Sequence, residues 1–201
     1  MSGMKKVALL VCLTLLSTTV IAQGLLLRVS GEVDGELSQT AAWLGEPVDV
    51  FVFNLNQPKT LNISVGNNDL VKKTSGKIKL TAGPSLVFYP HGDKLYLEPW
   101  VTARTKLLGG NAKVSLAYDQ PLTSGAPGIF YSNDCSLLWE ATKGLKAGVA
   151  AHWFQVEGNP LLVHSGFKLE GKVEGVNLTL RYCPFGGGND TIYLQGVVPF
   201  N

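Results

Sequence analysis

Sulfur is nearly missing from this chain: 2 methionines and 3 cysteines in 201 residues. Met1, Met4 and Cys12 all fall within the first 22 residues, which leaves Cys135 and Cys183 beyond them. Two isolated cysteines with no C-x-x-C and no histidine pair nearby do not make a zinc site. Histidine is scarce as well. His91, His152 and His164 form no H-E-x-x-H and no standard ligand spacing, and no G-x-S-x-G elbow accompanies them. Gly186-Gly187-Gly188 has neither a lysine nor a following helix, so it reads as a loop and not a phosphate cradle. No cofactor, no metal and no enzyme are expected. An excess of positive charge is also lacking. Lys and Arg number 17 against 15 Asp and Glu, and Lys5 and Lys6 lie in the first 22 residues. The remainder balances to zero, which excludes a nucleic-acid binder, since such proteins exchange cationic side chains for counterions.

What is present begins with a leader. Lys5 and Lys6 precede the apolar run Val7 to Leu16, and Val20-Ile21-Ala22 offers a small-residue cleavage site before Gln23. Those three parts make a secretory signal peptide over 1–22. The apolar run is short of the ~20 residues a spanning helix needs, so no membrane span is expected after cleavage. The protein is then placed outside the cell, secreted or on the cell surface. In that oxidising setting Cys135 and Cys183 are expected to form one disulfide, worth roughly 4 kcal/mol by chain entropy.

The dominant pattern is a period of two. In the stretch Phe167 to Cys183, Phe167, Leu169 and Val173 alternate with Lys168, Glu170, Lys172 and Glu174. Across Glu174-Gly175, Val176, Leu178, Leu180 and Tyr182 alternate with Asn177, Thr179 and Arg181. This is a β-hairpin with one dry and one wet face. Leu25, Leu27, Val29 and Val33 alternate in the same way near the N-terminus, and Thr60 to Val65 and Ala112 to Tyr118 follow suit. Short strands over 76–80, 85–89, 94–98 and 100–106 are separated by Gly83-Pro84, by Pro90-His91-Gly92 and by Pro99. Helical spacing is arguable only over Ser136 to Lys146. Roughly a dozen short strands predict an all-β, antiparallel β-sandwich over 23–201, Ig-like or jelly-roll, in a single domain.

Three sequons, at Asn62, Asn177 and Asn189, are glycosylation candidates, the first two on polar strand faces. Glu32-Val33-Asp34-Gly35-Glu36 resembles the E-x-D-x-E signature of laminarinase-type jelly-roll glycoside hydrolases. That resemblance implies nucleophile and acid/base roles for Glu32 and Glu36. Trp100 and Tyr131 flank loops, where exposed rings stack on sugars.

The leading expectation is a secreted, non-catalytic structural or adhesive protein of the cell surface. Its N-terminal strand over 23–35, with Leu25, Leu27, Val29 and Val33, is a candidate donor strand for self-association into a pilus-like filament. The alternatives are a carbohydrate-binding module for surface polysaccharide and, third, a glycoside hydrolase using Glu32, Asp34 and Glu36.

Overall fold

The computed structural model describes residues 21–32, 35–46, 48–57, 59–67, 70–187 and 189–200. The expected signal peptide therefore lies almost wholly outside the described residues. Thirteen strand segments follow in order: β1 (Ile21–Glu32), β2 (Leu37–Glu46), β3 (Val48–Phe53), β4 (Asn62–Asn67), β5 (Val71–Ser75), β6 (Ile78–Tyr89) and β7 (Lys94–Leu107). They continue as β8 (Gly110–Pro121), β9 (Ile129–Thr142), β10 (Leu145–Val156), β11 (Leu162–Val173), β12 (Val176–Gly186) and β13 (Thr191–Pro199).

Every pairing is antiparallel, and almost every one joins sequence neighbours. The two exceptions close the sheet on itself: β1 pairs with β13, and β4 pairs with β6. Segments β4 and β5 lie end to end along β6, at Ile63↔Phe88 and Val71↔Ala82, and fill one position in the ring. The result is a closed 12-stranded antiparallel barrel. The expected β-sandwich is wrong. A sandwich keeps two sheets with free edges, whereas the edges of this one sheet meet.

Local sequence explains the hairpins. Leu108-Gly109 and Glu174-Gly175 both hold positive φ at their two central positions, the primed turn whose twist matches the flanking strands. Lys143 and Gly144 turn β9 into β10, so the stretch from 136 to 146 is strand and turn, not helix. Pro84 and Pro99 do not interrupt strands. They are cross-strand partners within β6 and β7. Each sits where the other side of its strand lapses, Pro84 opposite the β4–β5 break and Pro99 where the β7–β8 ladder skips from Leu97 to Trp100. Proline is tolerated there because no ladder partner waits for its missing N–H.

The barrel is turned inside out relative to a soluble domain. In the hairpin of β11 and β12, Phe167 is 56% and Leu169 41% exposed, while Lys168 is 4% and Arg181 8% exposed. The alternation was legible, but its dry face points outward. One cross-strand row runs Val29, Leu194, Leu180, Leu169, Ala147 and Trp139 across six strands. All of its large members are exposed.

Two further expectations fall with this register. Cys135 and Cys183 are both free thiols. They lie on β9 and β12 with two strands between, roughly 14 Å at the usual strand spacing, beyond disulfide reach. Leu25, Leu27 and Val29 belong to a strand hydrogen-bonded along both edges, to β2 and to β13. Such a strand has no edge to donate, so filament assembly by strand exchange is excluded. Val33 lies outside the described residues.

Candidate functional site

With the apolar side chains outside, the inward positions form a polar lumen. At its middle, Asp134 on β9 receives Lys113 Nζ from β8 at 2.9 Å and Lys168 Nζ from β11 at 2.9 and 2.7 Å. Lys168 also pairs with Glu170 at 2.8 Å. These four side chains come from three strands, β8, β9 and β11, and meet across β10 on the concave inner face of the sheet. Beside them Arg181 donates to the Asn133 carbonyl and lies 4.7 Å over the Tyr193 ring. Arg28 packs 5.1 Å from the Phe53 ring and 5.5 Å from Tyr193, and donates to Thr40 Oγ1 at 3.1 Å. His152 and His164 stack at 4.9 Å.

This charged waist separates two wider parts. Toward the longer connections, 54–61, 122–128 and 157–161, lies a chamber of about 300 Å³. Its walls include Arg28, Tyr89, Glu98, Asp119, Tyr131 and His152. Tyr131 donates to Glu98, and Tyr89 meets Tyr96 edge-on at 5.5 Å. Arg28 Nε, Asp119 Oδ1, Ser132 Oγ and His152 Nδ1 are buried without hydrogen-bond partners, and all four residues line this one chamber. An unpaired buried polar atom costs ~1–3 kcal/mol in a dry site, so their convergence marks a space made for water or polar solute. Toward the two-residue turns 108–109, 143–144 and 174–175 lies a second cavity of about 380 Å³, half of whose lining residues are lysine or arginine.

The structure scatters the residues singled out from the sequence. Glu32 is exposed at the rim, where it accepts a hydrogen bond from Asn189 Nδ2 at 2.8 Å, and Glu36 is exposed across the same hairpin bend. Asp34 lies outside the described residues. Asn62 is 8% exposed and faces the chamber, so its polar strand face is the lumen wall. Asn177 is exposed on β12 as a cross-strand partner of Lys172, and only Asn189 falls in a connection of the longer-loop end. Trp100 sits within β7, and Tyr131 is a chamber residue; neither flanks a loop as an open platform. Lys113, Asp134, Lys168 and Arg28, which build the waist, were missed. The signal was present in Lys168 and Arg181, charged residues placed at mid-strand between large apolar neighbours.

No protein-family model matches the chain, and no curated protein matches its sequence. Among solved structures it is similar to the NanC porin, with a TM-score of 0.60 over 88% of this chain and 100% of that one at 10% identity. The fold is porin-like. Looser similarities are to the translocator domain of the autotransporter NalP from Neisseria meningitidis (TM-score 0.42, 12% identity, 98% and 95% covered) and to another porin (0.41, 10%, 84% and 64%). These two superpose too weakly to add to the first.

A porin-like barrel overturns the expectation of no membrane span. No helix among the described residues is long and apolar enough to cross a membrane, but strands cross in this architecture. The geometry agrees. Outward aromatics gather near both ends: Trp43 and Trp139 at the turn end, Tyr118, Phe130 and Phe185 at the loop end. Along β9, Phe130 and Trp139 are separated by roughly 30 Å of strand, or about 23 Å of height at a tilt of ~40°. Aromatic girdles of outer-membrane barrels flank an apolar band of ~25 Å. The secreted filament subunit, the carbohydrate-binding module and the glycoside hydrolase are all displaced by this fold. Of the two locations expected, a cell-surface one is compatible with it and release into the medium is not.

Proposed function

We propose that the protein is an outer-membrane channel that lets small hydrophilic solutes and ions pass without catalysis. The observation that carries this reading is the inverted alternation: an apolar outer wall around a charged, hydrogen-bonding lumen. Hydrocarbon accepts the first and only water accepts the second. Twelve strands at ~4.8 Å spacing and ~40° tilt give a backbone radius of roughly 12 Å. That lies between eight-stranded barrels, which side chains fill, and sixteen-stranded ones, which stay open. The long side chains of Arg28, Lys113, Lys168 and Arg181 narrow the bore at the waist, so the conductance is small and charge-sensitive.

Short turns on one side and longer loops on the other give the orientation, with loops outside the cell and turns and both described ends toward the periplasm. Purified protein refolded into a planar bilayer should open in discrete, uniform conductance steps. A folded, heat-modifiable barrel that never conducts would overturn the channel reading.

A further inference from the structure

Beyond residue 22 the Lys and Arg balance the Asp and Glu, yet these charges are not evenly placed along the barrel. The turn-side cavity is walled by Lys77 and Lys79 of the β5–β6 turn and β6, Arg104 and Lys106 of β7, Lys113 of β8 and Lys146 of β10. The one carboxylate in that wall is Glu170, and Lys168 already holds it at 2.8 Å. Lys113 is likewise shared with Asp134. Lys146 has Glu140 and Glu170 as its cross-strand partners, but among the described residues Lys77, Lys79, Arg104 and Lys106 have no carboxylate within ion-pair distance. The loop-side chamber is mixed, with Glu98 and Asp119 in its wall beside Arg28.

The register sharpens this. Lys79 is the cross-strand partner of Arg104, and Arg104 is the partner of Lys113. Three cations thus stand side by side on one inward face, ~5 Å apart at Cβ, an arrangement that repels. The row continues through Ser136, Ala150 and Gly166, which add no countercharge to it. Like charges in a cleft with low-dielectric walls reinforce one another's field and concentrate counterions.

We propose that this turn-side vestibule binds multivalent oxyanions, carboxylates or phosphates, entering from the mouth at which β1 begins and β13 ends. The proposal rests on the channel reading for access, but not for binding. The cations face the lumen and not the outer wall, so the ligand is a free solute and not a lipid headgroup.

The test uses single barrels in a planar bilayer, with a biotin at the C-terminus and streptavidin marking the turn side. Citrate or pyrophosphate is added to one side at constant ionic strength. The turn side should show block at a concentration at least tenfold lower than the loop side. Arg104→Gln with Lys106→Gln should raise the blocking concentration at least tenfold, while Lys94→Gln at the loop rim should not. Block by citrate alone assigns carboxylates, and block by pyrophosphate alone assigns phosphates. Equal block from both sides, or block matched by added chloride, overturns the proposal. Calorimetry of pyrophosphate and of citrate on the detergent-folded barrel separates the two readings. Binding lost in the Arg104/Lys106 variant without any conductance keeps the site and sinks the channel. Conductance with neither block nor binding sinks the site and keeps the channel.

Discussion

Replacing Asp134 with alanine strips the waist of the carboxylate that joins Lys113 to Lys168. Lys168 is 4% and Asp134 14% exposed at the side chain, and the three contacts are 2.7 to 2.9 Å long. Removing one member of a buried ion pair costs ~3–5 kcal/mol, because the partner stays desolvated and unpaired. Two features soften that here. Lys168 keeps Glu170 at 2.8 Å, and Lys113 is 33% exposed and can turn to water. The expected loss is therefore ~2–3 kcal/mol. With a urea slope of ~2–3 kcal/mol per molar, the unfolding midpoint should fall by about 1 M, read by tryptophan fluorescence in lipid vesicles. A double variant, Asp134→Leu with Lys168→Met, removes the two most buried charges and should recover part of the loss, since the charges left behind, Lys113 and Glu170, are 33% and 35% exposed and turn to water. Single-channel recordings of Asp134→Ala should also shift toward anions, because the waist gains net positive charge. An Asp134→Ala barrel as stable as the parent, or a double variant no better than the single, would refute the bridging role.

Other consequences follow from the same register. Leu180→Arg places a charge at the middle of the outer wall and should cost ~2–4 kcal/mol in lipid vesicles, whereas Leu108→Arg at the 108–109 turn should cost under ~1; equal effects at the two sites would deny a bilayer around the belt. The chain lacking residues 1–22 should titrate two free thiols in denaturant without reductant, one each from Cys135 and Cys183; zero thiols would restore the disulfide. Glu98→Gln removes a chamber charge far from the basic mouth, so it should alter selectivity but leave turn-side block by pyrophosphate within twofold; a tenfold change would mean that the two cavities are not separate.

Much of the local structure was legible from residues. The Phe167–Cys183 hairpin, its Glu174-Gly175 turn and the strand character of most segments follow from period-two spacing and glycine placement. What alternation cannot supply is its sign. A strand with Phe167 and Leu169 on one face and Lys168 and Glu170 on the other is the same string whether the apolar face meets a core or a bilayer. The sandwich reading assumed water outside, and the disulfide followed from the compartment and not from register. Pro84 and Pro99 broke two long strands into four short ones on paper, hiding the length that suits a membrane crossing. The waist was illegible for a different reason. Lys113, Asp134 and Lys168 are 21 and 34 residues apart and meet only through the order and curvature of β8 to β11.

The central claim is that apolar positions face lipid and polar positions face the lumen. It is tested most directly by a spin-label scan of 167–173 in bilayers, in a Cys135→Ser, Cys183→Ser background. Positions 167, 169 and 173 should be accessible to dissolved oxygen and closed to a water-soluble nickel chelate, while 168, 170 and 172 should not favour oxygen. Nickel access at 167 and 169 with oxygen-poor burial at 168 would mean that water, not hydrocarbon, surrounds this barrel, and the account would be wrong.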